Sequence, residues 1–250
     1  MSDKIEVYYF SPTGGTKKVS GIFVDAMEKE VIWHDLGSKK PMMEKPEGEM
    51  IVIAAPVFGG RIPSVVREKI EKLSGTGKKA VTIAVYGNRA YEDALLEMND
   101  ILMKCGFTVI ASGAFVAQHS MAPEVGAGRP DGEDEKEIHK FAESVKNSTA
   151  TENVHVPGNR PYKPELNMPV TPISLSSCTK CGKCVTICPT NAISVADGAV
   201  ITDTEKCILC MACTHVCMKQ ARIRPLPLQQ KTEQMLGALK GVRNKNEMFL

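Results

Sequence analysis

The sequence predicts an α/β protein with two unequal domains: a large one built on a five-stranded parallel sheet, and a small α+β one rich in cysteine. Between residues 1 and 147, five short apolar segments alternate with segments of helical spacing, a pattern typical of a parallel sheet with helices on both faces. Between residues 177 and 225 the chain carries eight of its nine cysteines. A length of 250 residues is enough for two such domains.

Five strands are predicted in the first domain. They cover residues 5–10, 31–36, 50–55, 80–86 and 108–116. The third and fourth are continuous apolar runs, which is typical of strands covered on both faces. Parallel neighbours need a crossover connection, so a helix is expected in each gap. The gap between the second and third strands is polar and contains proline, and either a loop or a poor helix is expected there.

Helical spacing is present in the other gaps. Val19, Ile22, Phe23 and Ala26 stand at i, i+3, i+4 and i+7, which predicts one buried helical face. Similar patterns lie at residues 66–73, 94–102 and 138–145, and a last one, at 235–242, predicts a terminal helix docked on one of the domains, with a frayed tail as the alternative.

The second half of the chain divides into three segments. Residues 148–176 form a connector with five prolines, predicted to be extended and packed as a strap on the first domain. Residues 177–225 form the cysteine-rich domain, in which Asp197 and Gly198 predict a turn between two short strands, and residues 226–250 form the terminal helix or tail.

Composition excludes several classes of partner. A formal charge of +2 gives no strong single-signed field, so neither nucleic acid nor an anionic membrane is expected as a partner, and no apolar run is long enough for a membrane span. The first residues lead directly into a strand pattern, so the reducing cytoplasm is the expected location. In a reducing compartment the clustered cysteines are expected to bind metal rather than form disulfides. The isolated Cys105 is expected to be a small buried apolar residue. The oligomeric state is left open.

The loop after the first strand, SPTGGT, predicts a phosphate site. Hydroxyl groups and glycines let the backbone wrap around a small anion at the start of a helix. The residues that could do this are Ser11, Thr13, Gly14, Gly15 and Thr16. The loop is neither a P-loop nor a dinucleotide fingerprint, and its low charge suits flavin mononucleotide. The alternative is a glycine-containing turn with a Ser or Thr helix cap.

Later loops supply candidate contacts to a flat ring. In open parallel sheets, ligands bind beyond the carboxyl ends of the strands, where these loops lie. The candidates are Pro56, Val57, Phe58, Gly59 and Gly60 after the third strand, Tyr86, Gly87, Asn88 and Tyr91 after the fourth, and His119 after the fifth. Each aromatic taken alone is more often a core residue; the agreement of three loops favours a flavin site.

The cysteines form an internal repeat. C-x2-C-x2-C-x3-C occurs first at Cys178, Cys181, Cys184 and Cys188, and again at Cys207, Cys210, Cys213 and Cys217. Zinc sites usually present two separated pairs of ligands, whereas this spacing predicts two 4Fe-4S clusters; zinc remains the alternative. In the bacterial two-cluster pattern the fourth cysteine of each run binds the other cluster. The first cluster would then take Cys178, Cys181, Cys184 and Cys217, and the second Cys207, Cys210, Cys213 and Cys188. Met218 stands where the first run has Pro189.

These motifs resemble two known families. SPTGGT, APVFGG and YGNRAY resemble the phosphate and ring loops of flavodoxin-type FMN domains, which implies a sheet of order 2-1-3-4-5 and bound FMN. The cysteine repeat resembles bacterial two-cluster ferredoxins. The whole chain resembles flavodoxin and ferredoxin fusion proteins, known mainly from anaerobes.

The resemblance implies an electron-transfer protein that moves electrons between two 4Fe-4S clusters and an FMN and exchanges them with external donor or acceptor proteins of low potential. A second hypothesis is a flavin-dependent reductase of a small molecule, fed by the clusters, with His119, Tyr91 or Arg61 as proton donor. A third is an oxygen-sensing regulatory protein.

Overall fold

The computed structural model describes residues 4–166 and 168–250. Its larger part, residues 4–146, is called the sheet domain. The strands are β1 (Lys4–Tyr9), β2 (Glu30–Asp35), β3 (Met50–Pro56), β4 (Lys79–Tyr86) and β5 (Thr108–Val116). The helices are α1 (Gly15–Met27), α2 (Ser64–Ile70), α3 (Ala94–Lys104) and α4 (Gly132–Lys146). Each predicted strand lies within one residue of the observed one at either end.

The five strands pair in the order β2-β1-β3-β4-β5, all parallel, so the predicted flavodoxin-like fold is confirmed. Side chains of β1 alternate between the faces of the sheet: Val7 packs with Phe23 of α1 and Phe141 of α4, and Tyr8 packs in the core on the α2 and α3 side. The carboxyl ends of the five strands therefore lie at one edge, which is where the predicted loops meet.

The segment between β2 and β3 is a loop, held by a buried carboxylate on β1. Glu6 is fully buried and accepts hydrogen bonds from the N–H groups of Glu47 at 2.5 Å and Gly48 at 2.6 Å. Its other oxygen lies 3.1 Å from the Tyr8 hydroxyl and 2.8 Å from His34 Nε2. Burial alone would raise the pKa of Glu6, but these hydrogen bonds together hold it below its ordinary value.

The connector packs on the sheet domain, and the predicted strap is confirmed. Buried Asp93 accepts hydrogen bonds from the N–H groups of Asn159 at 2.8 Å and Lys163 at 2.7 Å. The Tyr162 hydroxyl donates to Asp100 at 2.5 Å, and the Arg61 guanidinium lies 4.7 Å from the centre of the Tyr162 ring.

The cysteine-rich domain is a small α+β unit. It contains β6 (Ile173–Ser174), α5 (Lys183–Ile187), β7 (Ile193–Ala196), β8 (Ala199–Thr202), α6 (Ala212–His215) and β9 (Arg222–Ile223). β7 and β8 form a hairpin around Asp197 and Gly198, both with positive φ, as the Asp-Gly pair predicts. β6 pairs with β9, so this unit begins a few residues before the predicted boundary at 177.

The C-terminal segment docks on the sheet domain, as predicted, but its helix lies earlier than the predicted 235–242, Met235 and Val242 are exposed, and the segment also contributes an unpredicted strand. Helix α7 (Leu226–Leu236) places Leu236 against Ala122 and Val125. Strand β10 (Glu247–Phe249) then pairs antiparallel with β5 and covers the edge of the sheet. Within the described residues, no helix combines the length and the apolar character needed to cross a membrane.

Candidate functional site

The loop between β1 and α1 presents a helix N-terminus at the carboxyl edge of the sheet. Gly14, immediately before the helix, has φ 92°, a left-handed conformation that favours glycine. The Ser11 hydroxyl accepts a hydrogen bond of 2.9 Å from the Lys17 N–H, so Ser11 caps the helix, as the alternative interpretation of this loop proposed.

The same loop keeps donors free for an anion. Among the described residues, the N–H groups of Gly15 and Thr16 and the hydroxyls of Thr13 and Thr16 have no hydrogen-bond partner. They lie where the helix dipole favours negative charge. The loop therefore combines a cap, provided by Ser11, with unpaired donors that fit a phosphate group.

The loop after β3 is packed against its neighbours. Phe58 and Arg61 exchange two backbone hydrogen bonds, and Gly59 and Gly60 between them have positive φ. A Cβ on Gly59 would lie 2.6 Å from the Cβ of Leu166 in the connector, and one on Gly60 would lie 1.8 Å from a Glu92 carboxylate oxygen. The two glycines are thus required by turn geometry and by close packing, independently of any ring. Pro56 ends β3, and Val57 and Phe58 are half-buried against the core.

The side chains of the loop after β4 hold the C-terminal segment. The Tyr86 hydroxyl donates to the Lys245 carbonyl at 2.6 Å, Asn88 Nδ2 donates to the Val242 carbonyl at 2.7 Å, and the Tyr91 hydroxyl donates to Glu247 at 2.8 Å. Their exposed fractions are 5%, 0% and 8%. This leaves little side-chain surface for a ring, a departure from the sequence interpretation that is caused by the docked C-terminal segment.

His119 lies where the two domains approach each other. Its imidazole covers Gly87, because a Cβ there would lie 2.3 Å from His119 Cδ2. Nδ1 accepts a hydrogen bond of 3.1 Å from the Met121 N–H, which leaves the proton on Nε2. Burial, with the positive charges of Arg224 from the cysteine-rich domain and of Arg89, lowers the pKa of His119 to about 4. The imidazole is therefore neutral at pH 7.

A cavity of about 440 Å³ adjoins the loop after β4. It is lined by residues of that loop, of the connector around Gly158 and of the C-terminal segment around Lys245. No residue of the SPTGGT loop or of the loop after β3 lines it. This cavity is therefore distinct from the candidate phosphate site.

Four cysteines from both repeats line a cavity of about 190 Å³ in the cysteine-rich domain. They are Cys178, Cys181, Cys184 and Cys217, the set expected for the first cluster. The N–H of Lys183 lowers the pKa of the exposed Cys181 thiol. A thiolate at this position is thus favoured by the start of the short helix α5.

The other four cysteines lie together on the inner side of the domain. Cys188 and Cys213 are buried, and Cys207 packs against them, as does Cys184 of the first set. Burial, followed by the charges of Cys213, Cys188 and Cys207, raises the pKa of Cys210 to about 12. A thiolate forms at such a position only beside a strong positive charge such as iron, so this donor set fits a metal cluster. The Ala192 N–H donates to Cys188 Sγ at 3.3 Å, the kind of hydrogen bond that tunes cluster potentials.

The spacing of the cysteine runs favours iron over zinc. Each thiolate of a cubane binds its own iron, so four cluster ligands stand farther apart than the ligands of one zinc ion.

The cysteine-rich domain contacts the sheet domain at the carboxyl edge of the sheet. Ile208 and Cys210 pack against the hydrophobic core that also takes up Val57 and Phe58. The Lys39 ammonium, in the loop after β2, lies 3.5 Å from the Val185 carbonyl. The cysteines are thereby joined to the edge that carries the phosphate loop.

Solved structures similar to this chain include two flavodoxins. Oxidised flavodoxin 1 from Bacillus cereus is 18% identical, with a TM-score of 0.45 over 58% of this chain and 99% of that one. A flavodoxin from the domain Archaea is 17% identical, with a TM-score of 0.43 over 57% of this chain and 96% of that one. The fold assignment rests on the strand order itself.

Curated relatives match the cysteine-rich domain. The polyferredoxin-like subunit of the aliphatic sulfonate oxidoreductase of Pyrococcus furiosus is 45% identical over 58 residues, 22% of this chain; the chain spans only 30% of that subunit. An uncharacterized ferredoxin-like protein of Haemophilus influenzae is 36% identical over 67 residues, 24% of this chain and 78% of that protein. Ferredoxin-1 of Rhodobacter capsulatus is 35% identical over 54 residues, 19% of this chain and 83% of that ferredoxin.

Two family models, each describing a 4Fe-4S binding domain, match residues 171–194 and 204–219. These ranges cover both cysteine runs, and the relatives are matched over most of their length in two cases. Through its cysteine-rich domain, this chain belongs to the 4Fe-4S ferredoxin family.

Proposed function

We propose that the protein transfers electrons between two 4Fe-4S clusters in the cysteine-rich domain and an FMN on the sheet domain, and exchanges them with external redox proteins. The observation that carries this is the packing of Cys210, an inner-side cysteine, against the hydrophobic core of the sheet domain, on which Val57 and Phe58 also pack. A reducing compartment keeps such cysteines available to iron, and the cytoplasm is the proposed location.

The proposed ligand sets follow the two groups of cysteines in the structure. The first cluster takes the four that line the 190 Å³ cavity: Cys178, Cys181, Cys184 and Cys217. The second takes Cys210 and the three cysteines whose charges raise its pKa, Cys207, Cys213 and Cys188. Cys188 and Cys217 each bind the cluster whose other three ligands come from the other run, and this crossing links the two halves of the domain.

The proposed FMN site starts from the SPTGGT loop. The free N–H groups of Gly15 and Thr16 and the hydroxyl of Thr13 donate to the phosphate. Backbone groups after β3 and β4, near Val57 and Gly87, are the proposed ring contacts. When bound, FMN supplies a centre that takes up one or two electrons, whereas each cluster passes one.

An electron carrier fits better than a small-molecule reductase, because two of the three candidate proton donors are engaged elsewhere and the third is a weak acid. His119 is a neutral imidazole at pH 7, and the Tyr91 hydroxyl donates to Glu247. Arg61 donates from Nε and from one terminal nitrogen to Glu97 at 2.8 and 2.7 Å, which raises its pKa.

The test begins with protein purified without oxygen. About eight irons, eight sulfides and one FMN per chain are expected. The clusters are then photoreduced, and the arrival of electrons at the flavin is followed by absorbance over a tenfold range of protein concentration.

A rate independent of protein concentration supports transfer within one chain. A rate proportional to concentration, or a flavin that stays oxidised, overturns the proposal. Cys210→Ser is expected to keep FMN and slow the transfer, and Cys105→Ser, a cysteine of the sheet domain whose sulfur contacts the Ile70 carbonyl, is the matched control.

A further inference from the structure

The surface around the first group of cysteines is basic and exposed. We propose that this surface, called the Lys180 face and made of Lys180, Lys183, Met218 and Lys219, is the docking site for a small acidic electron-carrier protein. The proposal rests on the electron-transfer function and adds the place and chemistry of the external partner.

The Lys180 face surrounds the cavity of the first cluster. Its four residues line that cavity together with Cys178, Cys181, Cys184 and Cys217. The three lysines are exposed, and Met218 is 80% exposed. Cys181 is the one exposed thiol among the described cysteines. A partner on this face thus comes within reach of the first group of thiolates.

The positive charge of this face is unpaired. None of its three lysines takes part in an ion pair among the described residues, and the Lys183 ammonium lies against Met218 Sδ at 2.9 Å. Between residues 173 and 223 there are five basic and three acidic side chains. Of the acidic ones, Asp203 is paired with Lys206 at 2.9 Å, and Asp197 stands in the hairpin turn near Lys180. A net positive rim attracts an acidic partner.

The second group of cysteines is not open to a partner in the same way. Cys188 and Cys213 are buried, and Cys210 packs against the sheet domain. Because electron transfer slows steeply with distance, an external protein exchanges electrons faster at the outer group than at this inner one.

Met218 gives the face an apolar centre. It stands where the first cysteine run has Pro189, and it is far more exposed than a core methionine. Methionine adapts to different partner surfaces and is enriched at protein interfaces. An apolar centre with a basic rim suits a transient complex that forms quickly and is weakened by salt.

The step itself is a one-electron exchange. The partner's reduced centre loses one electron and the first cluster gains it; no bond is made or broken and no proton moves. The reverse direction obeys the same balance.

The probe is a two-cluster ferredoxin of strongly negative net charge. Its dissociation constant for the intact, fully loaded protein is measured by calorimetry with both proteins oxidised, at ionic strengths of about 0.02 and 0.3 M. The rate of electron transfer from the reduced ferredoxin is measured under the same conditions.

The double substitution Lys180→Glu/Lys219→Glu is expected to raise the dissociation constant and lower the transfer rate at least about tenfold at low salt, with most of the difference lost at high salt. Met218→Ala is expected to weaken binding a few-fold at both salt concentrations. Lys136→Glu/Lys140→Glu on α4 is the matched control, because it makes the same change in net charge on exposed residues of the sheet domain.

The docking site is overturned if the double substitution on α4 weakens ferredoxin binding as much as the double substitution on the Lys180 face does. It is also overturned if the double substitution on the Lys180 face leaves binding unchanged. Photoreduction of the clusters with a neutral deazaflavin needs no protein partner. It therefore tests cluster-to-flavin transfer, the proposed function, independently of ferredoxin docking. If cluster-to-flavin transfer persists in the Lys180 face variant while ferredoxin binding is lost, both proposals stand. If it is absent in the wild type, the electron-transfer proposal fails whatever the binding result.

Discussion

The hydroxyl of Tyr91 donates a hydrogen bond of 2.8 Å to the carboxylate of Glu247, joining the loop after β4 to the last strand of the chain. Burial, followed by this carboxylate, raises the pKa of Tyr91 well above its ordinary value, so the phenol stays protonated. Tyr91 therefore stabilises the docked C-terminal segment instead of lying open beside a ring.

Tyr91→Phe is expected to lower the free energy of unfolding by about 1.5–3 kcal/mol, because it removes one hydrogen bond to a charged group, and to leave FMN affinity within about twofold. Chemical unfolding and FMN titration measure the two effects. A tenfold loss of FMN affinity with unchanged stability would show that Tyr91 contacts the ring.

A buried ion pair secures the same segment. Arg129 donates from Nε to Asp134 at 2.9 Å and from a terminal nitrogen to the same carboxylate, and it also donates to the Asn244 carbonyl at 2.6 Å. Asp134→Asn is expected to cost about 3–5 kcal/mol of unfolding free energy, since it leaves the Arg129 charge buried without its partner. Asp25→Asn, an exposed change on α1, is the control and is expected to cost less than about 0.5 kcal/mol. Equal losses for the two variants would contradict a structural role for this pair.

The buried Glu6 predicts a loss of stability in acid. Its folded-state pKa lies below the ordinary value of 4.5, so the stabilisation is fully present above about pH 4.5 and is lost as the pH falls through the lower folded-state value. Glu6→Gln is expected to lower the free energy of unfolding by about 1–3 kcal/mol at pH 7. This gap between the variant and the wild type is expected to shrink as the pH falls. Urea unfolding of both proteins at several pH values measures the gap. A gap that is constant with pH would contradict this role.

The SPTGGT loop contains both a helix-capping residue and hydrogen-bond donors without a protein partner among the described residues. Ser11→Ala is expected to cost about 1 kcal/mol of stability because Ser11 caps α1. Thr13→Ala is expected to weaken FMN binding about fivefold to tenfold with little change in stability, because its hydroxyl has no protein partner. FMN affinity is measured by calorimetric titration and stability by thermal unfolding, on the same samples of both variants. The assignment fails if Thr13→Ala changes stability alone.

The crossing of the cysteine runs can be tested by iron content. Cys188→Ala is expected to remove the second cluster and Cys217→Ala the first, each lowering iron from about eight to about four per chain. Electron paramagnetic resonance of the reduced protein tells which cluster remains. If Cys188→Ala and Cys178→Ala leave the same spectrum, Cys188 serves the cluster of its own run.

Much of the fold was predictable because it depends on local patterns. Apolar runs located β1 to β5 almost to the residue; β1, β3, β4 and β5 are buried along most of their length, and strands covered on both faces are mostly apolar. The cysteine spacing is local as well, and the Asp-Gly pair predicted the β7–β8 hairpin. By contrast, β10 is three residues long and pairs with an edge strand distant in sequence, so no periodicity marks it.

At the carboxyl edge of the sheet, too, the local sequence predicted residue types but not the contacts that these residues make. Tyr86, Asn88 and Tyr91 have the composition of a ring-binding loop, but their partners lie more than 150 residues away in the chain, at Lys245, Val242 and Glu247. Gly59 and Gly60 were predicted for close approach, but the groups that approach them belong to Leu166 and Glu92.

The sequence by itself determined the parallel sheet, the SPTGGT loop and the eight cysteines, because each depends on residues close together in the chain. Only the tertiary structure decided that the cysteine-rich domain packs against the sheet domain and that the C-terminal segment binds the side chains of Tyr86, Asn88 and Tyr91. The physical reason is that these contacts join distant segments, and burial and hydrogen bonding between such segments leave no periodic signal in either one.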